Sequence, residues 1–416
     1  MRILLGPPRE AGPPRISHPV YVVAALDALS VGIILPALPH LVDELTGSGG
    51  ADPALWLATL AAAWGAAQFL SAPLMGSLAD RFGRRPVLLV ALAGLAADAL
   101  FMAVAPSLTW LLVGRAISGA LAASVIACSA HVIDVSLPEE RARRLGLLSA
   151  AWSIGLIAGP PLGGGLADIH MRLPFVVCAL SAAATWLYAA LRLKESLPAD
   201  RRRSLSPLRQ AWPFRGVIEL LGRPGLRAPA LVFGLAALAD QALPTFFVLC
   251  VIERYGWSVG AAGLALTALG VGRIVVQAFG VERLVRRYGE PPTLIFGLMS
   301  LMLALLVLGL APDGKTFLAA LPLYAAGAVG APTLATILSM RVSDAQQGQL
   351  QGANTALQGA ASAIGPLIFG GAYSLAAGPL ASAPRGAGAM LLAGALCALA
   401  TGVAWASVSK RAADRR

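Results

Sequence analysis

Twelve apolar stretches of about 20 residues each, parted by short polar breaks, decide what this 416-residue chain can fold into. They run over 18–41, 55–79, 86–106, 108–132, 143–166, 172–194, 228–252, 258–281, 291–311, 316–340, 348–374 and 386–409. Hydrocarbon holds no water to satisfy a bare peptide group, so such stretches must be helices that cross a membrane. Composition agrees. The chain is 57% hydrophobic and 13% charged, whereas soluble domains carry roughly a quarter charged residues. The 45 glycines suit helices whose backbones approach closely in lipid. The expected class is an all-α membrane protein with twelve transmembrane helices in two parallel six-helix halves.

The net charge of +11 is topological rather than a nucleic-acid signature. Of the 32 Lys and Arg, only Arg172, Arg254, Lys315 and Arg385 fall in one set of alternate loops, and only Arg115 and Arg273 fall inside spans. The rest lie in the two termini and the other loops. This bias predicts that both termini and the 195–227 segment are cytoplasmic. The expected organisation is a cytoplasmic tail 1–17, a first half 18–194, a linker 195–227, a second half 228–409 and a basic tail 410–416. The proline-rich residues 1–17 carry no apolar core before a cleavage site, so no cleavable signal peptide is expected. Cys128, Cys178, Cys250 and Cys397 all fall within spans without metal-ligand spacing and read as small core residues.

Three landmarks recur at one offset of 206 residues across the linker: Gly83 and Gly289, Gly146 and Gly352, and Gly159-Pro160 and Gly365-Pro366. Six spans per half then give a parallel repeat, with a substrate site near the midplane between halves that rock against each other.

The residues that carry chemistry are few. The loop Gly76–Pro86 packs Asp80, Arg81, Arg84, Arg85 and the turn glycine Gly83 between two spans, and it reads as a cytoplasmic hinge or gate. Asp27, Asp98, Arg115, Asp240 and Arg273 sit well inside spans. A charge there costs about 2.5–3.5 kcal/mol on insertion scales, which leaves two readings for each: a structural ion pair, or a proton- or substrate-binding group. Burial disfavours the charged form of a carboxylate, which suits proton carriage. Asp240 and Arg273 lie at comparable depths in adjacent spans, which predicts a pair. Pro36 and Pro39 are expected to loosen the first span. Gly155, Gly159 and Gly163 form a small-residue face followed by Pro160 and Pro161, expected to break the helix and make a bending contact between halves. Gly309–Thr316 matches a phosphate-loop pattern but lacks its strand and helix, so no nucleotide is expected. His18, His40, His131 and His170 read as solvated or interfacial.

The Gly76–Pro86 loop, Arg115-x3-Gly119 and Gly155-x3-Gly159-Pro160-x2-Gly163-Gly164 resemble three motifs of the drug/proton antiporters of the major facilitator superfamily. Leu26-Asp27-Ala28, Gln277-Ala278-Phe279 and Gln347-Gly348-Gln349-Leu350-Gln351-Gly352 extend the resemblance to its TetA-type tetracycline/proton antiporters. The resemblance implies that Asp27, Asp98 and Arg115 serve proton coupling, that Asp80, Gly83 and Arg84 form an inward gate with Arg84 facing Asp134, that Gly155, Gly159 and Pro160 hinge the halves, and that Gln277 lines the cavity beside Asp240 and Arg273. Two departures stand out: that family's eighth-span histidine is Arg273 here and its ninth-span aspartate is Leu301. They alter the cavity charge by about +2 at neutral pH.

The resulting expectation is a proton-coupled exporter of tetracycline or a similar amphipathic drug, not an enzyme, in the inner membrane of a bacterial cell. Its partners are then the small-molecule drug, protons and the lipid bilayer, with no nucleic acid and no nucleotide. No cofactor or resident metal is expected. The proton gradient supplies the drive, and the drug can travel as a divalent-metal chelate. The alternatives are a multidrug or metabolite antiporter of the same fold, and a membrane sensor or scaffold without flux.

Overall fold

The computed structural model of the protein describes residues 18–47, 52–202, 217, 222–343, 346–375 and 384–414. The expected tail 1–17, residues 203–216 and 218–221 of the expected linker, and residues 415–416 lie outside them. Among the described residues every regular element is helical. The first half comprises α1 (His18–Thr46), α2 (Pro53–Phe82), α3 (Arg84–Ala103), α4 (Leu108–Asp134), α5 (Pro138–Ile169) and α6 (Leu173–Arg192). The second comprises α7 (Gly225–Tyr255), α8 (Val259–Tyr288), α9 (Glu290–Leu310), α10 (Gly314–Ser339), α11 (Gln347–Leu375) and α12 (Ala387–Asp414). Eleven of these are long and apolar enough to cross a membrane. The Gln- and Gly-rich α11 is 29 residues long but less apolar, because much of it packs against other helices.

The loops fall on two faces, one basic and one not. On the non-basic face, helices begin on side-chain caps: Asp52 accepts from Ala54 N at 2.9 Å, Ser107 from Trp110 N at 3.3 Å, Ser258 from Ala261 N at 3.1 Å and Asp313 from Thr316 N at 2.8 Å. Each satisfies an amide that a helix start leaves without an intrahelical partner. The phosphate-loop lookalike is thus an N-cap between α9 and α10. On the basic face, α2 ends at Gly83 (φ 110°), whose N–H reaches Ala79 O at 3.1 Å, and α8 ends at Gly289 (φ 82°), whose N–H reaches Val285 O at 2.8 Å. The two turns are copies at the sequence offset. Both need a residue without Cβ, since L side chains avoid that conformation.

The small-residue face of α5 does something other than expected. A Cβ on Gly32 of α1 would lie 2.9 Å from Gly159 Cα, and Gly155 and Gly163 abut Ala25 and Ile33 of the same helix. The stripe therefore welds α5 to α1 inside the first half. The contact between halves uses the adjoining face of α5, where Pro160, Gly164 and Ile157 meet Gly263, Val259 and Gly270 of α8. Nor do Pro160 and Pro161 break α5, which is continuous from Arg141 to Ile169. Pro161 has no N–H for the Ile157 carbonyl, and that carbonyl instead accepts Thr267 Oγ1 from α8 at 2.9 Å. Likewise α1 remains helical through Pro36 and Pro39.

A second seam joins α2 to α11, where Ala58 meets Gly370, Gly65 meets Ser362 and Phe69 meets Gly359. All these approaches lie between the middle of the bundle and the non-basic face. Nearer the basic face, Gly76, Gly146 and Gly352 have nothing within 4 Å of where a Cβ would stand. Among the described residues, the close approaches between the halves at glycines lie on the non-basic side.

Enlarging Gly159 to valine is expected to destabilise the protein by about 1–3 kcal/mol through overpacking, read as a lower melting temperature in detergent. Gly165→Ala, in the same helix with open space around it, is expected to leave the melting temperature unchanged or slightly raised.

Candidate functional site

Three polar assemblies sit in the helical frame. The first lies inside the first half. Asp98 on α3 and Arg115 on α4 form an ion pair, Nη1 to Oδ2 at 2.9 Å, with Asp98 almost sealed. The guanidinium also lies over the Trp64 ring of α2 at 5.5 Å, which adds cation–π attraction. Gly114 leaves room beside Asp98, where a Cβ would already stand 3.3 Å from Oδ1. Asp27 on α1 is 3% exposed with Ser124 of α4 beside it, and its Oδ2 has no hydrogen-bond partner among the described residues. So the expected trio divides. Asp98 and Arg115 neutralise each other, and Asp27 is left without an ion-pair partner. The break of α4 at Ala122 and Ala123 precedes Ser124, and it sets the start of the segment that stands beside Asp27.

The second assembly is on the basic face. Arg84, first residue of α3, binds Asp80 of α2 at 2.5 Å and Asp134 of α4 at 3.0 Å. The expected contact of Arg84 with Asp134 is thus present. The reason is structural: α2, α3 and α4 belong to one half, so the pair does not have to break when halves separate. Sequence reasoning missed Glu195, just beyond α6. Its carboxylate accepts the backbone N–H of Arg84 at 2.9 Å and Arg85 at 3.2 Å, and those of Ser196 and Leu197 at 2.9 and 3.0 Å. It occupies the space a Gly83 side chain would need. Ser196 Oγ donates to Asp134 at 3.2 Å. The signal was available, since a helix starting after glycine with no side-chain cap calls for an anion at its amides. The segment expected as linker therefore begins as part of the first half. His131, expected to be solvated or interfacial, is instead 2% exposed within α4.

The third assembly is in the second half. Arg273 meets Asp240 in a two-pronged pair, Nη1 to Oδ1 at 2.9 Å and Nη2 to Oδ2 at 3.0 Å. Tyr324 of α10, a second residue the sequence reading missed, donates its hydroxyl to Asp240 Oδ1 at 2.7 Å, and the Arg273 guanidinium lies 5.4 Å from its ring centre. The pair is partly exposed, 29% for Arg273 and 36% for Asp240. Helical irregularities surround it: a turn at Asp240 and Gln241, a π-turn over Val276–Gly280 and a 3-10 turn over Gly327–Val329. Gln277 is exposed on that π-turn. Such irregular backbone in a membrane is tolerated where protein or an aqueous space covers it, and π-turns recur at functional sites. Leu301, in place of the family's acid, is buried against Gly327. The four cysteines are free and buried, as expected.

Asp240→Asn leaves the Arg273 cation without its counter-charge, and a loss of about 1–3 kcal/mol is expected, seen as lower recovery of monodisperse protein and a lower melting temperature. Adding Arg273→Gln is expected to restore part of both. Equal and additive losses would mean the two groups do not interact.

The sequence profile described as Major Facilitator Superfamily matches residues 20–233 and 229–416. The class C tetracycline resistance protein of Escherichia coli is 35% identical over 85% of this chain and 88% of its own. The class G protein of Vibrio anguillarum is 36% identical over 86% and 90%. Among solved structures, the human organic anion transporter MFSD10 superposes with a TM-score of 0.69 at 25% identity, over 94% of this chain and all of the other. The nucleoside transporter NupG superposes at 0.75 with 12% identity, over 95% of this chain and 98% of its own, which speaks to fold alone. These relatives are transporters rather than enzymes. Two six-helix halves that approach closely on one face, buried charges inside each, and profile matches over both halves have one reading: the chain is a multi-pass membrane protein belonging to the major facilitator superfamily.

Proposed function

We propose that the protein is a proton-coupled exporter of tetracycline or a similar amphipathic drug, working by alternating access in a bacterial inner membrane with both termini cytoplasmic. The observation that carries this is the state of Asp27. It is a sealed carboxylate with one oxygen unpartnered and no ion-pair partner among the described residues, in a chain 31–36% identical to tetracycline resistance proteins of six classes. With the basic face cytoplasmic, the close approaches between the halves lie toward the outer side, which supports an inward-facing form able to take up drug from the cell.

Asp27 then carries the proton. A lone carboxylate between packed helices is most comfortable neutral, so it holds a proton while sealed and gives it up once water reaches it. Asp98 and Arg115 form a neutral ion pair on α3 and α4 of the same half, which leaves Asp27 to carry the proton. Gly155, Gly159 and Pro160 carry the rigid α1–α5 unit that moves with Asp27. Asp80, Gly83, Arg84 and Asp134 hold the cytoplasmic ends of α2, α3 and α4 as one surface for the second half to meet. Asp240, Arg273 and Gln277 border the drug path, and a drug chelating a divalent cation would be accepted as cargo.

A second reading keeps the mechanism and changes the substrate. Arg273 is held to Asp240 on both prongs, so this half presents a fixed, internally neutral pair where the TetA-type resemblance implies a titratable histidine. Multidrug resistance protein 1 of Bacillus subtilis, 24% identical over 82% of the chain, represents that class.

Inverted membrane vesicles separate these readings. Tetracycline uptake is expected to follow an imposed proton gradient and to collapse with an uncoupler. Uptake of unrelated cationic dyes but not tetracycline would establish the second reading. Asp27→Asn, which preserves shape and hydrogen bonding, is expected to abolish gradient-driven uptake, a drop of at least tenfold, with normal membrane insertion. Undiminished concentrative uptake would remove Asp27 from the coupling path.

A further inference from the structure

The two seams between the halves are chemically unlike. Along α2 and α11 the close approaches are packing contacts, Ala58 with Gly370 and Phe69 with Gly359 among them. Along α5 and α8, two hydrogen bonds cross from half to half. Thr267 Oγ1 donates to the Ile157 carbonyl at 2.9 Å, and Gly260 N donates to Asp168 Oδ2 at 3.1 Å. The second is made at the non-basic end, where α8 begins.

Its setting is specific. Ser258 caps α8 and satisfies Ala261 N, which leaves the Gly260 amide to be taken by a carboxylate from the other half. Asp168 is on the last turn of α5, and its charge faces the positive end of the α8 dipole. Gly260 has no space for a side chain, because a Cβ there would overlap Asp168 Oδ2. One turn earlier on α5, a Cβ on Gly164 would stand 2.5 Å from Val259 O and 2.9 Å from Gly260 Cα. The contact is a fitted one, with a donor, an acceptor and cleared space on both sides. At the matching place on the other seam, 206 residues on, stands Ser374, which is turned back on its own helix and donates to Gly370 O at 3.0 Å. The duplication kept the seam and put a carboxylate tie on one side only.

We propose that Asp168 is the latch of the non-basic face: by capping α8 across the interface it holds the two halves shut there, and its release is required for that face to open. Asp168 is a positioning residue that meets neither drug nor proton carrier. The inference rests on the alternating-access reading, but on no particular substrate.

The test measures the state directly, in drug-free protein. Nitroxide labels at Pro106→Cys, between α3 and α4, and Lys315→Cys, in the first turn of α10, at the non-basic ends of opposite halves, are read by pulsed electron resonance in lipid nanodiscs after the native cysteines are replaced. Asp168→Ala is expected to move population from the short to the long distance, raising the open-to-closed ratio on the order of fivefold, as for loss of a helix cap. Asp168→Asn, which keeps an acceptor oxygen without the charge, is expected to fall between. Gly260→Ala is expected to shift the ratio the same way as Asp168→Ala. Unchanged distance distributions in monodisperse Asp168→Ala and Asp168→Asn would overturn the latch. A shifted distribution together with no tetracycline uptake by the parent protein would leave the latch standing and overturn only the substrate.

Discussion

The bilayer withholds water, and the rest of the structure follows from where unsatisfied groups are sent. Pro161 leaves the Ile157 carbonyl without its helical donor, and Thr267 of the other half fills it. The amides at the start of α3 have no side-chain cap in their own turn, and Glu195 fills two of them. Arg115 and Arg273 each meet a carboxylate. In each case the partner comes from a different segment of the chain, so satisfying a polar group also fixes how helices stand to one another. Van der Waals packing of small residues does the remainder, since lipid tails offer no hydrophobic incentive for helices to associate.

That accounting singles out Asp27. The other intramembrane charges are paired, whereas Asp27 has a serine and one open oxygen. A group left this way in an environment that penalises it calls for an explanation beyond packing. Proton carriage provides one, because protonation removes the charge and hydration of an opened bundle restores it. The paired residues neutralise one another and are then not further carriers.

Much of this was legible before the structure. The spans, the repeat and the Asp240–Arg273 pair follow from apolar run length, an offset of 206 residues and depth of charge, and the Arg84–Asp134 pair from the family resemblance. What failed were inferences about what lies across from a residue. The Gly155–Gly163 face was assigned to the other half, yet it packs on α1, because a small-residue period says that a helix is near and not which one. Proline was read as a break at Pro160 and Pro161, yet the ladder continues where a neighbour supplies the missing donor. Tyr324 and Glu195 were missed because each acts through a partner distant in sequence, 84 residues for Tyr324 and Asp240.

The duplicated frame has been filled with different chemistry in its two halves. The turn glycines Gly83 and Gly289 repeat in conformation, but buried pairs do not. The first half places its pair on α3 and α4 with the aromatic Trp64 on α2, and the second places its pair on α7 and α8 with Tyr324 on α10. The first pair is nearly sealed and the second partly open. An exchanger needs such inequality, since one region must meet protons out of reach of drug while another meets drug. The seams show the same division. Along α5 and α8 two hydrogen bonds cross between the halves, and along α2 and α11 the contacts described are packing contacts, so parting the non-basic face breaks directional bonds on one edge. A motion with one tied and one slipping edge has a preferred sequence, the slipping edge yielding first and the tied edge setting the threshold for opening.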